Sequence, residues 1–175
     1  MRWMWIDQIV DFEPESRMVA IKNVSLAEEH LHDHFAADAR HPEALPIMPA
    51  CFIIEGMAQT AGILVGSVHR FREKVILAKV QKAVLDRDIG PGQTLRYTAT
   101  LDRIDAAGAA TTGIVECCGH GPNDDSWQQI GRIELMFSHI DQNMAGLQFP
   151  EENFVFSENF RTILRAAGLE ELAEA

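Results

Sequence analysis

Cysteine is scarce in this sequence, being confined to Cys51, Cys117 and Cys118. The number is odd and none of the spacings is CxxC, so neither a disulfide framework nor a zinc ribbon is suggested, and reduced thiols are expected. Positive charge is also short. Fifteen Lys and Arg stand against 26 Asp and Glu, a net charge of −11, which argues against nucleic acid or an anionic membrane surface as the main partner. An unbroken apolar run is missing as well. The longest apolar stretch, residues 50–68, contains Glu55, Gln59, Thr60 and Ser67, so it would be costly in hydrocarbon and reads as a buried core helix. The N-terminal segment meets a charge at Asp7, too soon for the apolar region of a signal peptide, and the chain is expected to stay in the cytoplasm. The sequence holds no Walker loop, GxGxxG, GxSxG elbow, internal repeat or low-complexity tract, which sets aside nucleotide-binding and serine-hydrolase readings.

What is present fits one domain. The 175 residues, 47% of them hydrophobic, suffice for a core that needs no metal or disulfide. Residues 5–24 predict a hairpin turning at Glu13-Pro14-Glu15-Ser16. Residues 25–49, with four histidines and three prolines, read as an ordered loop. Pro49 is expected at the first helical position by its fixed φ, and about five turns of apolar residues follow before Arg70 and Arg72 complement the C-terminal dipole. Four strand-like segments come next, at 74–84, 94–104, 110–118 and 128–139, separated by turns at Gly90-Pro91-Gly92, Ala106-Ala107-Gly108 and residues 119–125. A hairpin, one long apolar helix and a run of strands, without βαβ alternation, predict an α+β fold whose antiparallel sheet wraps the helix. Phe160, Ile163, Leu164 and Ala167 predict a short amphipathic C-terminal helix ending at Gly168. The body is therefore set at residues 1–140, with 141–175 as an extension packed on it.

Charge is uneven along the chain. Residues 69–87 carry Arg70, Arg72, Lys74, Lys79, Lys82 and Arg87 against Glu73 and Asp86, a balance of 6 − 2 = +4, while residues 141–175 carry two arginines and seven carboxylates, a balance of −5. The basic island suits an acidic carrier or a phosphate; scattered solvated side chains are the plainer reading.

Three features bear on chemistry. Glu55 lies among Phe52, Ile53, Ile54 and Met57, where a carboxylate inside a wrapped helix would be desolvated unless it sits on an exposed edge or caps a loop. The stretch His30-Leu31-His32-Asp33-His34-Phe35 offers a histidine as partner to that carboxylate, the simplest acid–base pair at neutral pH. In an extended segment the three imidazoles would share one face and invite zinc, but no other ligand spacing supports a metal. Third, Pro46-Ile47-Met48-Pro49-Ala50 fixes the helix entry, where the amides of Ala50 and Cys51 either receive an oxyanion or merely begin the helix.

The series His34-Phe35, Pro46-Ile47-Met48-Pro49 and Ile54-Glu55-Gly56-Met57-Ala58-Gln59 resembles the HFPGxPxMPG...E...AQ signature of the β-hydroxyacyl-acyl carrier protein dehydratases. The resemblance runs over roughly residues 3–140, through Trp5-Ile6-Asp7, Lys22-Asn23-Val24-Ser25 and Gly90-Pro91-Gly92. It implies a hotdog fold, paired into a homodimer, with a trimer of dimers as a larger assembly. It also implies a catalytic pair, His34 from one chain and Glu55 from the other, converting a 3-hydroxyacyl thioester on acyl carrier protein to a trans-2-enoyl thioester. Substrate contacts are expected from Phe35, Ile47, Met48, Ala50, Cys51 and Gln59, and carrier docking from Arg70, Arg72, Lys74, Lys79 and Lys82. No metal, cofactor, nucleic acid or membrane is implied. Three departures stand out: Ala36-Ala37 replaces the family's Pro-Gly, about seven extra residues precede Pro46, and Ala50 replaces glycine. The insertion places His41 at the family's spacing from Glu55, so His41 is the rival base. An acyl thioesterase and a noncatalytic carrier-binding subunit are the alternatives on the same fold.

Overall fold

The computed structural model describes residues 3–33, 36–40, 43–119, 126–140, 156 and 158–174. Six antiparallel strands form one sheet, and their alternation explains which face turns inward. β1 (Gln8–Glu13) and β2 (Arg17–Asn23) make the expected hairpin, with Glu15 at φ 59° in the turn. β3 (Val75–Leu85), β4 (Thr94–Asp105), β5 (Gly108–Cys118) and β6 (Gln128–His139) match the four expected segments to within two residues at either end. The order across the sheet is β1-β2-β4-β5-β6-β3. β5 alternates without interruption, burying Ala109, Thr111, Gly113, Val115 and Cys117, the period-two pattern of a strand covered on one face. Cys117 thus faces the core and Cys118 the other side, as adjacent strand residues must.

α2 (Ala50–Val68) runs across the covered face, chiefly against β4. By length and composition it could cross a membrane, yet most of it is buried by the protein itself, with Ile53, Met57, Ile63 and Leu64 at 1% exposure or less. This is the hotdog arrangement. Two glycines let helix and sheet approach. At Gly56 a Cβ would lie 2.6 Å from Tyr97 Cζ and Oη, and at Gly113 it would lie 2.3 Å from Met57 Sδ.

The segment between β2 and α2 is not purely loop, for Glu29–Asp33 forms a short helix, α1. The apolar spacing there is too brief to announce a helix, whereas Glu28 closes the preceding turn by accepting from the Ser25 amide. At the other end of α2, Arg70 and Phe71 both take left-handed backbone, φ 52° and 54°, so the helix stops in a tight turn without glycine. Burial of the Phe71 ring against Phe156, centroids 4.5 Å apart, offsets a conformation that costs about 1–2 kcal/mol per residue. The expected C-terminal helix is α3 (Glu158–Ala166), burying Phe160 and Leu164. After Gly168, at φ 74°, a further short helix, α4 (Glu170–Ala173), follows that the sequence did not announce.

Candidate active site

The helix entry is fixed by the backbone around it. The Met48 amide donates to the Ile89 carbonyl at 2.7 Å, and Pro49 enters α2 at φ −56° and ψ 134°. Pro46–Pro49 is thereby tied to the segment before the Gly90-Pro91-Gly92 turn, which in turn is bonded to Val24. Ala50 is the first helical residue and has no positive φ. Alanine therefore costs no backbone strain where the family has glycine. Ala50 and Cys51 are exposed, Ile47 is half-buried and Met48 is buried, so Met48 is a core residue while the other three border solvent.

One turn further on, Glu55 is half-buried, not encased in apolar side chains as its neighbours in sequence suggest. It lines a cavity of about 200 Å³ together with Gln59, Gly62, Val75, Leu77 and Phe137. Gln59 is the residue that holds it. Its Nε2 donates to Glu55 Oε1 at 3.0 Å and to the Trp3 carbonyl at 3.1 Å, while its Oε1 accepts from the Trp5 amide at 2.9 Å. The side chain is buried, 4% exposed. Gln59 is thus a clamp between the helix and the N-terminal segment, a role invisible in sequence because Trp3 and Trp5 lie more than fifty positions away.

His34 and Phe35, and the rival base His41, lie outside the described residues, and their placement beside Glu55 is taken up below as a proposal. The residues leading to them are well anchored. Lys22, buried at 6% exposure, bonds Asp7 at 3.3 Å, Glu28 at 2.7 Å and the Asn23 carbonyl at 2.9 Å. Asp7 also accepts from the Asn23 amide at 2.7 Å. This network joins β1, β2 and the approach to α1, and it gives a physical use to Trp5-Ile6-Asp7 and Lys22-Asn23. The helical turn of α1 separates the first two histidines. The His30 ring stands edge-on to Trp5 and Phe52, centroids 5.1 and 5.0 Å apart, whereas His32 Nε2 bonds the Leu26 carbonyl at 2.7 Å. The extended geometry that a shared zinc ligand set needs is therefore absent, and among the described residues no group of His, Cys, Asp and Glu could hold a metal. Trp3, Trp5, Phe52 and His30, with Glu28 and Glu29, instead line a second cavity of about 490 Å³.

The basic island is only partly a surface. Arg70, Arg72, Lys79 and Lys82 are exposed, but Lys74 is 6% exposed. It precedes β3, where its carbonyl accepts from the Ile140 amide at 3.1 Å, and it is buried where the other four are exposed. Beneath the site, burial raises the Tyr97 hydroxyl far above its ordinary pKa, with the charges of Asp7 and Glu28 acting in the same direction. Burial likewise pushes the Cys117 thiol up to about 11.

A family model described as "FabA-like domain" matches residues 2–122. The 3-hydroxyacyl-[acyl-carrier-protein] dehydratase FabZ of Solibacter usitatus is 34% identical over 119 residues, covering 67% of this chain and 68% of that protein. The protein of the same description from Clostridium kluyveri is 30% identical over 142 residues, covering 81% and 88%. Among solved structures, the dehydratase heterocomplex ApeI:P from Xenorhabdus doucetiae superposes with a TM-score of 0.55 at 16% identity, over 81% of this chain and 87% of that one. At that identity the likeness bears on the fold alone.

Proposed function

The chain belongs to the FabA-like family, and from that premise we propose that it is a hydro-lyase converting a 3-hydroxyacyl thioester on acyl carrier protein to the trans-2-enoyl thioester and water, in fatty-acid or related lipid synthesis. The observation that carries the reading is Glu55, held by Gln59 at 3.0 Å on the wall of a largely apolar cavity. A carboxyl group so placed can meet the hydroxyl of a thioester whose chain lies along the helix. In the proposed reaction His34 removes a proton from C2, the C3–O bond breaks, and Glu55 of the partner subunit gives its proton to the departing hydroxyl. The electron pair from the C2–H bond becomes the new double bond. A positioned base of this kind contributes typically about 10²- to 10⁴-fold. The Ala50 amide, at the positive end of α2, receives the charge developing on the thioester oxygen; Phe35, Ile47 and Cys51 complete the substrate contacts.

The proposed active form is a homodimer joined at a sheet edge. β3 is one of the two edge strands, and nothing among the described residues pairs its free side. Leu77, Val80 and Val84 on it are 37%, 40% and 43% exposed. A long edge with exposed apolar side chains is a template for another strand, and a second copy joined there would extend the sheet to twelve strands. β3 borders the Glu55 cavity through Val75, Ile76 and Leu77, so a second copy joined there would lie beside that cavity. A trimer of such dimers remains the larger assembly proposed. The exposed Arg70, Arg72, Lys79 and Lys82 offer an acidic carrier its counter-charge, and the cytoplasm is the proposed location.

The test follows enoyl-thioester absorbance with 3-hydroxyacyl carrier substrates for wild type, His34→Ala, His41→Ala and Glu55→Gln. Loss in His34→Ala and Glu55→Gln, with His41→Ala active, is the expected pattern. Release of free thiol without enoyl product would make the protein a thioesterase, and carrier binding without turnover would make it a binding subunit. Val80→Asp with Val84→Asp is expected to yield monomers by sedimentation equilibrium and to abolish turnover.

A further inference from the structure

The cavity beside Glu55 has one wall that the family match does not reach. Glu55, Gln59 and Gly62 lie on one side of α2 at helical spacing, the first and last separated by a rise of about 10 Å. Val75–Leu77 and Phe137 face them across the space. Phe156 and Phe160 line it too, and like Phe137 they come from beyond residue 122, where the family match stops. They are firmly seated. Phe156 and Phe160 are 9% and 3% exposed, with ring centroids 5.8 Å apart. Phe156 lies so close over Gly66 that a Cβ there would be 2.6 Å from its Cζ.

We propose that Phe156 and Phe160 of the C-terminal extension form the end wall of the acyl cavity and set the longest chain that the enzyme accepts. The proposal rests on the dehydratase reading above for the identity of the ligand. The space is limited, about 200 Å³, so the position of the two rings decides how far a chain can run along the helix. Gly62 offers a second handle on the same space, because among the described residues a Cβ at that position would meet only Phe137 Cε1, at an ordinary 3.5 Å. A larger side chain at 62 fills the cavity from the helix side, and a smaller one at 156 or 160 empties it from the far end.

The experiment compares wild type with Phe156→Leu, Phe160→Leu and Gly62→Leu, each confirmed as folded by circular dichroism. Two profiles are taken against chain length: kcat/KM for 3-hydroxyacyl carrier substrates, and calorimetric binding of unreactive alkyl pantetheine thioethers. The phenylalanine variants are expected to move the cut-off to longer chains, with a gain of about fourfold for each methylene newly accommodated. Gly62→Leu is expected to move it to shorter ones. An unchanged cut-off in all three variants, or a loss equal at every length, would overturn the proposal. Should wild type turn over none of the substrates, the dehydratase reading falls, and the thioether profile still decides whether the two rings limit the chain.

Discussion

Replacing Gln59 with methionine separates the stabilising and positioning roles of one side chain. Methionine keeps nearly the same length and volume, so the cavity contribution is small. What is lost is hydrogen bonding. The Trp5 amide, in a residue only 7% exposed, loses its acceptor at 2.9 Å, and an orphaned buried donor costs about 1–3 kcal/mol. The Trp3 carbonyl belongs to an exposed residue and turns to water at little cost. A destabilisation of about 2 kcal/mol is expected, which lowers Tm by about 4–8 °C for a chain of this size. Glu55 loses its partner at 3.0 Å and is free to swing. Misplacement of a reacting group by about 1 Å costs on the order of 10²-fold, so kcat is expected to fall by about ten- to a hundredfold while KM stays near its original value. Urea unfolding followed by circular dichroism measures the first effect, and steady-state enoyl absorbance well below Tm measures the second. Wild-type stability in Gln59→Met, or a defect confined to KM, would refute the clamp.

Gly56→Ala puts a Cβ 2.6 Å from the Tyr97 ring and 2.8 Å from the Trp5 carbonyl, an overpacking expected to destabilise by about 1–3 kcal/mol in the same urea assay. Tyr97→Phe is expected to do the reverse. The Tyr97 hydroxyl is buried without a hydrogen-bond partner among the described residues, so its removal should stabilise by about 1–2 kcal/mol at neutral pH. A second effect of that substitution appears in alkali. Both Tyr97 and Cys117 bind their protons more tightly folded than unfolded, so the stability they contribute is complete below the unfolded pKa values and is lost as pH rises toward the folded ones. Wild type should weaken from about pH 9 upward, where the unfolded thiol ionises, and Tyr97→Phe should weaken less. A disulfide reagent at pH 8 should modify exposed Cys51 promptly and leave Cys117, with its thiol pushed up to about 11, unmodified in the folded protein; equal rates at the two would contradict the burial.

The fold was legible because its elements are long and carry one clear period. β4, β5 and β6 alternate, α2 is apolar on nearly every face, and proline and glycine turns separate them, so local pattern and global fold agree. The short α1 and α4 were not legible, since five and four residues hold too few turns for a period to show. The site divides along the same line. Glu55 and the proline-fixed helix entry stand out within a few residues of sequence, but their supports come from afar: Trp3 and Trp5 to Gln59, Ile89 to Met48. Lys74 shows the limit from the other direction. It belongs to a basic run by composition, yet it is buried, its carbonyl bonded to the Ile140 amide, and no local signal separates it from Lys79, which stays exposed five residues later. A residue's chemical type can be read from sequence alone, whereas the partners that give that type a task are assigned by chain topology. Gln59, Lys74 and Phe156 illustrate this, for Trp5, Ile140 and Gly66 each lie more than fifty positions from them along the chain.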